Sequence, residues 1–104
     1  MSVGDPRPNI ASAMQLVTSL AERLPEGDVE HHGRLSAREL ARACADEEGV
    51  PVAVDRFGQS IRQLLRERDE GARRQQQHGA TAIERLLDAF EEHLLPELRR
   101  AGLV

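Results

Sequence analysis

Apolar residues recur along this chain at steps of three and four, the spacing of one face of a helix. Ile10, Met14, Val17, Leu20, Ala21 and Leu24 form the first stripe. Asn9 before it suits an N-cap, and Pro25 and Gly27 end it. Residues 1–8, with Gly4, Pro6 and Pro8, predict a flexible lead-in. The polar stretch 26–33 reads as a turn that carries His31 and His32. A second helix is expected from Ser36. Ser36 and Glu39 spell the S-x-x-E capping box, Leu35 and Leu40 stand at the positions of a hydrophobic staple, and Gly49 suits the C-terminal cap. Leu40, Ala41, Ala43 and Cys44 would face inward.

Residues 50–54, with three Val and one Pro, read as a linker or a short β-bridge. Val54, Phe57, Ile61, Leu64 and Leu65 then stripe a third helix that weakens near 69–71. Residues 72–79 hold two Arg, three Gln and a His. They read as a helix extension, a loop or the hairpin wing of a winged helix-turn-helix, and low β-propensity disfavours the wing. Thr81 and Glu84 form a second capping box. Ile83, Leu86, Leu87, Phe90, Leu94 and Leu98 line the last helix. Pro96 is expected to kink or interrupt that helix, because it removes a hydrogen bond and crowds the preceding turn. Gly102 marks its end. The pattern predicts a flexible 1–8 and one all-α, four-helix domain over 9–104, with a helix-turn-helix at 35–68 and a short wing as an option.

Composition narrows this. At 104 residues the chain has room for one ordinary domain. With 39 % apolar and 31 % charged residues it belongs with globular chains rather than disordered ones. Phe57 and Phe90 are the sole aromatics, so the core must be aliphatic and thin, and pairing of two copies would help to bury it. A single cysteine, Cys44, excludes an internal disulfide and reads as a small core residue. Every Lys/Arg position is Arg, which reads as coding bias. Neither a secretory leader nor an apolar run near 18 residues is seen, so a cytoplasmic protein is expected, with no membrane partner.

The net charge of −4 argues mildly against non-specific nucleic-acid binding. The charge is uneven, however. Between Pro51 and Gln75, Arg56, Arg62, Arg66, Arg68, Arg73 and Arg74 face Asp55, Glu67, Asp69 and Glu70, six against four, a local +2. The face of the third helix opposite its apolar stripe carries Arg56, Gln59, Ser60, Gln63 and Arg66. Arg can make two bonds to guanine and Gln two to adenine, while Ser reaches phosphate or base. In a DNA-binding helix-turn-helix these side chains would enter the major groove, with Arg62 beside them and Arg66, Arg68, Arg73 and Arg74 neutralising phosphates. A solvated face of an Arg-rich bundle would look the same.

Leu35-Ser-Ala-Arg-Glu-Leu40, Gly49-Val-Pro-Val, Asp55-Arg-Phe-Gly58 and Ile61 together resemble the C-terminal DNA-binding module of phage and plasmid primases. The likeness covers about a third of the chain, residues 35–66. It implies a winged helix-turn-helix, with Arg56, Gln59, Ser60 and Gln63 at exposed positions. It does not imply primase activity, since nothing here would hold the metals or nucleotide of such an enzyme.

Leu87, Leu94 and Leu95 are candidates for a homodimer or partner interface, with Ile83, Phe90 and Leu98 inside. The histidines lack zinc-ligand spacing. The carboxylate runs Asp46–Glu48 and Glu91–Glu92 point apart rather than converge, so neither catalysis nor a cofactor or metal is expected. Two functional classes follow. The first is a small DNA-binding protein, a transcriptional regulator or accessory replication factor on double-stranded DNA. The alternative is a helical protein-interaction module (adaptor, inhibitor or assembly subunit) that binds a partner through its C-terminal or acidic face.

Overall fold

The computed structural model describes residues 6–72 and 80–104, with side chains for 9–67 and 82–104. Three helices, α1 (Pro6–Glu22), α2 (Asp28–Asp46) and α3 (Val50–Ala72), precede a C-terminal rod. The rod runs without a break from α4 (Ala80–Asp88) through a π-helical segment (Ala89–Leu94) into α5 (Leu95–Arg100). The domain is all-α, as the spacing predicts, with no strand among the described residues. Short connections make neighbouring helices antiparallel. Packing joins α1 to α2 and to the rod, and α3 to α2 and to α4.

Several boundaries move from where the sequence puts them. Pro6 opens α1, where its missing N–H costs nothing, so three residues of the expected lead-in are helical. Arg34 closes the other end of α1 by donating to the carbonyls of Leu24 and Pro25 at 3.1 and 3.3 Å.

The second helix begins eight residues before Ser36. Gly27 is its N-cap, and Asp28 and Glu30 place carboxylates in its first turn, where the helix dipole favours them. Glu30 folds back over Gly27, so a Cβ there would have to displace the end of that side chain. Ser36 is therefore inside a helix and caps nothing. Its hydroxyl lies 3.0 Å from the Gly33 carbonyl and 3.1 Å from the Ser60 hydroxyl of α3. Leu35 is exposed and staples nothing.

Gly33 looks like a helix breaker in the sequence. In the fold it is a point of close approach: a Cβ there would sit 3.3 Å from Leu64 Cδ1 and 3.5 Å from Leu24 Cδ1. The packing of two leucines over the bare backbone offsets the helix-propensity cost of glycine, about 1 kcal/mol.

The α2 cap is Glu47 rather than Gly49. Glu47 is left-handed (φ 55°), and the N–H groups of Glu47 and Glu48 both donate to the Ala43 carbonyl. Gly49 (φ 69°) instead leads into α3, and Val50–Val54 is the first turn of that helix, neither linker nor bridge. Val50 and Ala53 are buried there.

Thus α2, a three-residue turn containing Gly, and α3 stand in the expected order. They pack as an antiparallel hairpin. Glu39 faces Arg56 at 3.9 Å, Ser36 meets Ser60, and Gly33 lies against Leu64. Contact therefore continues to a point about 20 Å up the hairpin from the turn, at 1.5 Å per residue. Helices of a DNA-binding helix-turn-helix cross at roughly 90–120° instead. The physical reason is stripe length. Gly33, Ser36, Ala37, Leu40 and Cys44 on α2 match Val50, Ala53, Phe57, Ile61 and Leu64 on α3 along the whole seam.

Pro96 does not interrupt the rod. The Leu95 N–H donates to the Phe90 carbonyl, five residues back, so the turn before the proline is widened. The ladder loses its donor at Pro96, where the ring also needs room. The wide turn also corrects register. At 100° per residue, Leu98 would lie about 80° around the axis from Phe90. Slower winding keeps Phe90, Leu94 and Leu98 all buried. Across the core the Phe57 and Phe90 rings meet edge to face, centroids 4.9 Å apart.

Truncating Phe57, which is fully buried, should therefore be costly. We expect Phe57→Ala to lose about 3–5 kcal/mol of stability, and the exposed Val52→Ala to change it by less than about 0.5 kcal/mol. Denaturant unfolding followed by circular dichroism measures both. Equal effects would mean that Phe57 does not join the hairpin to the rod.

Candidate functional site

On α3, Arg56, Gln59, Arg62, Gln63 and Arg66 are exposed on the side away from the core. Ser60 is not with them. It is half-buried at the α2 seam, bonded to Ser36, so it cannot be a base-reading residue. The Arg68 side chain, Arg73 and Arg74 lie outside the described residues, as do residues 73–79 of the candidate wing and the Thr81 side chain of the second capping box.

The exposed arginines do not make a one-sign field. Asp55 and Glu67 are interleaved with Arg56, Arg62 and Arg66, and Glu39 reaches Arg56 from α2. Among the described residues of this face, three positive charges thus meet three negative ones. Among the described residues other arginines are also engaged: Arg38 holds Glu22 with two bonds of 2.9 and 3.0 Å, and Arg100 lies 3.2 Å from Glu97.

The expected interface residues separate into two kinds. Leu94 is wholly buried in the core and so is not presented to a partner. Leu87 and Leu95 are half-buried and line a groove of about 290 Å³ between α3 and the rod. Val54 and Leu65 line it from the α3 side, and Ile61 and Phe90 belong to its buried wall. Its charged lining residues are Asp55, Arg62 and Glu91.

A larger groove, about 500 Å³, lies between α1, the C-terminal half of α2 and the chain's last residues. Ile10, Met14, Ala41, Cys44, Ala45 and Leu103 line it. The Thr18 hydroxyl in its wall is used up on the Met14 and Gln15 carbonyls of its own helix. Sequence reasoning missed this groove. One signal was available: residues 9–21 carry no charge in a chain that is 31 % charged, and Ala11, Ser12, Gln15 and Leu16 are exposed among them.

Cys44 is buried beside this groove, and burial pushes its thiol from 9.0 up to about 11. His31 and His32 are on an exposed side of α2 rather than in a turn, their rings 6.4 Å apart. Among the described residues no group of three or more His, Cys, Asp or Glu could hold a metal ion. No described helix is long and apolar enough to cross a membrane. In comparisons with known proteins, no family model, curated protein or solved structure matches this chain.

The Cys44 environment sets two expectations. At pH 8 the folded thiol should be about a hundredfold poorer in thiolate than an ordinary cysteine, and should label with a disulfide reagent correspondingly slowly until the chain is unfolded. Because the unfolded thiol ionises first, stability should be intact below pH 9 and fall as pH rises from 9 towards 11. Cys44→Ala should remove that slope. Fast labelling of the folded protein would show the thiol to be open.

Proposed function

We propose that this chain is a helical protein-interaction module that pairs with a second copy through the groove between α3 and the rod. The observation that carries this is the lining of that groove. Leu87 and Leu95 stand beside Val54 and Leu65 in an apolar trough whose charged residues include both signs, Arg62 with Asp55 and Glu91. A twofold interface must be complementary to itself. A rim of one sign would repel its copy, whereas a mixed rim lets Arg62 of each protomer meet an acid of the other. The thin core adds a motive, because a domain with two aromatics gains from burying further apolar surface.

Double-stranded DNA is a second reading, favoured by one observation: Arg56, Gln59, Arg62, Gln63 and Arg66 share an exposed side of one helix. The likeness to the primase DNA-binding module, and a role in transcription or replication, belong to this reading. We rank it second because, among the described residues, the charge of that face is balanced and α2 packs antiparallel on α3.

Sedimentation equilibrium tests the first reading. The expected result is a dimer that Leu87→Asp dissociates. Arg62→Glu should weaken it, and adding Glu91→Arg to Arg62→Glu should restore it. A wild-type monomer at high micromolar concentration would overturn the proposal. For the second reading, anisotropy with duplex fragments at two salt concentrations should show salt-sensitive binding, with Arg56→Ala and Gln63→Ala losing specific fragments more than random ones. Absence of binding at low salt would end it.

A further inference from the structure

We infer that the second copy docks with its α3 antiparallel to α3 of the first, the two helices crossing at Gly58. This arrangement rests on the self-pairing reading and fixes three things that reading leaves open: which helices meet, in which direction, and where the twofold axis passes.

The glycine is the first support. Gly58 stands in the interior of α3, where glycine weakens a helix. Its backbone has no positive φ that would call for glycine. Packing within the chain does not call for it either. Among the described residues, a Cβ built there meets the Arg62 guanidinium alone, at 3.8 Å, an ordinary contact with the far end of a flexible side chain. Gly33 is the contrast, since Leu64 and Leu24 press on its bare backbone from the same molecule. Gly58 turns an equally bare backbone, half-buried, towards the groove between α3 and the rod. Its cost to the helix is accounted for if the backbone of another helix comes close there.

Charge then sets the direction. Asp55, Gly58 and Arg62 follow one another on one side of α3 at steps of three and four. Asp55 and Arg62 are exposed, about 10 Å apart along the helix axis, with Gly58 between them. Phe90 lies against Phe57, so its neighbour Glu91 stands nearer the turn of Asp55 than the turn of Arg62. The groove thus has an acidic end and a basic end. A copy laid parallel would set acid on acid and Arg62 on Arg62. A copy turned end for end, about an axis midway between Asp55 and Arg62, sets Arg62 of each chain on the acidic end of the other, twice over. That midpoint falls beside Gly58.

Arg62 is available for this contact. Arg38, Arg56 and Arg100 each face a carboxylate of their own chain, whereas among the described residues Arg62 has no ion-pair partner. Its guanidinium lies over Gly58, and turning it outward to Asp55 of the second copy uncovers the glycine. Val54 and Leu65, to either side of Gly58, and Leu87 and Leu95 on the rod supply the apolar contact.

Sedimentation equilibrium on the full chain tests the crossing with two kinds of substitution. Gly58→Ala should weaken the dimer by about tenfold or more. On the monomeric Leu87→Asp chain the same substitution should raise the melting temperature by a few degrees, because the added Cβ has room and alanine favours the helix. Asp55→Arg should weaken the dimer about tenfold, since it sets Arg against Arg62 of the other copy. Adding Arg62→Asp should then bring the affinity back to within about threefold of the parent chain. A dimer as tight with Gly58→Ala as without it would overturn the antiparallel crossing and leave self-pairing standing. So would a charge-exchanged chain that stays as weak as Asp55→Arg alone. A wild-type monomer at high micromolar concentration would instead end the self-pairing reading, and the crossing with it.

Discussion

The edge-to-face contact between Phe57 and Phe90 ties the α2–α3 hairpin to the rod, which also packs along α1. The α2–α3 hairpin and the α1–α2 pair are each held by long apolar seams. The rod, by contrast, joins α3 through α4 and through this ring pair, with centroids 4.9 Å apart. Aromatic pairs bury more area per residue than the aliphatic contacts around them, and the edge-on geometry adds its own attraction. With no other aromatic in the chain, no substitute contact of that size exists. The rest of the core, from Val17 and Leu40 to Leu86 and Leu98, is aliphatic and fills in around the two rings.

Two devices keep that core closed. Gly33 lets Leu24 and Leu64 settle against the backbone of α2, so the first three helices meet closely at one level. The π-helical segment slows the winding of the rod and accommodates Pro96, so Leu94 and Leu98 stay inward beneath Phe90. Each is a local departure from ideal helix chemistry whose cost is offset by packing. Leu94 ends in the core while Leu87 and Leu95 stand at the edge of the groove, so burial separates the leucines that a partner could reach.

Charge then distinguishes the two grooves. Between α3 and the rod, Asp55, Arg62 and Glu91 mix both signs around the apolar lining. Between α1 and α2 the described lining is mostly apolar, with Glu47 as its charged side chain. The arginines of α3, which make the most conspicuous feature of the linear sequence, are diluted in space by Asp55, Glu67 and Glu39. Glu39 is 17 positions from Arg56, so its nearness could be read only once the hairpin had closed.

Periodicity alone determined the helical class, the order of the helices and most of the core, because a buried helix face must repeat every three to four residues whatever it packs against. Ile83, Phe90 and Leu98 were legible as interior for that reason. Tertiary structure decided what local chemistry left open. Ser36 and Glu39 match a capping box, but the match means something only at a helix end, and Gly33 hid the true start at Asp28 because its benefit comes from Leu24 and Leu64, far along the chain. Ser60 looked exposed beside Gln59 until α2 ran long enough to cover it. Leu94 shares the apolar stripe of Phe90 at a spacing of four, and packing across the bundle decided that it is wholly buried while Leu87 is not. The larger groove belongs to α1, α2 and Leu103 together, and no one of them contains it. Patterns that act within a few residues are written in the sequence, whereas which faces meet, and what they leave uncovered, is settled by the sum of contacts across the bundle.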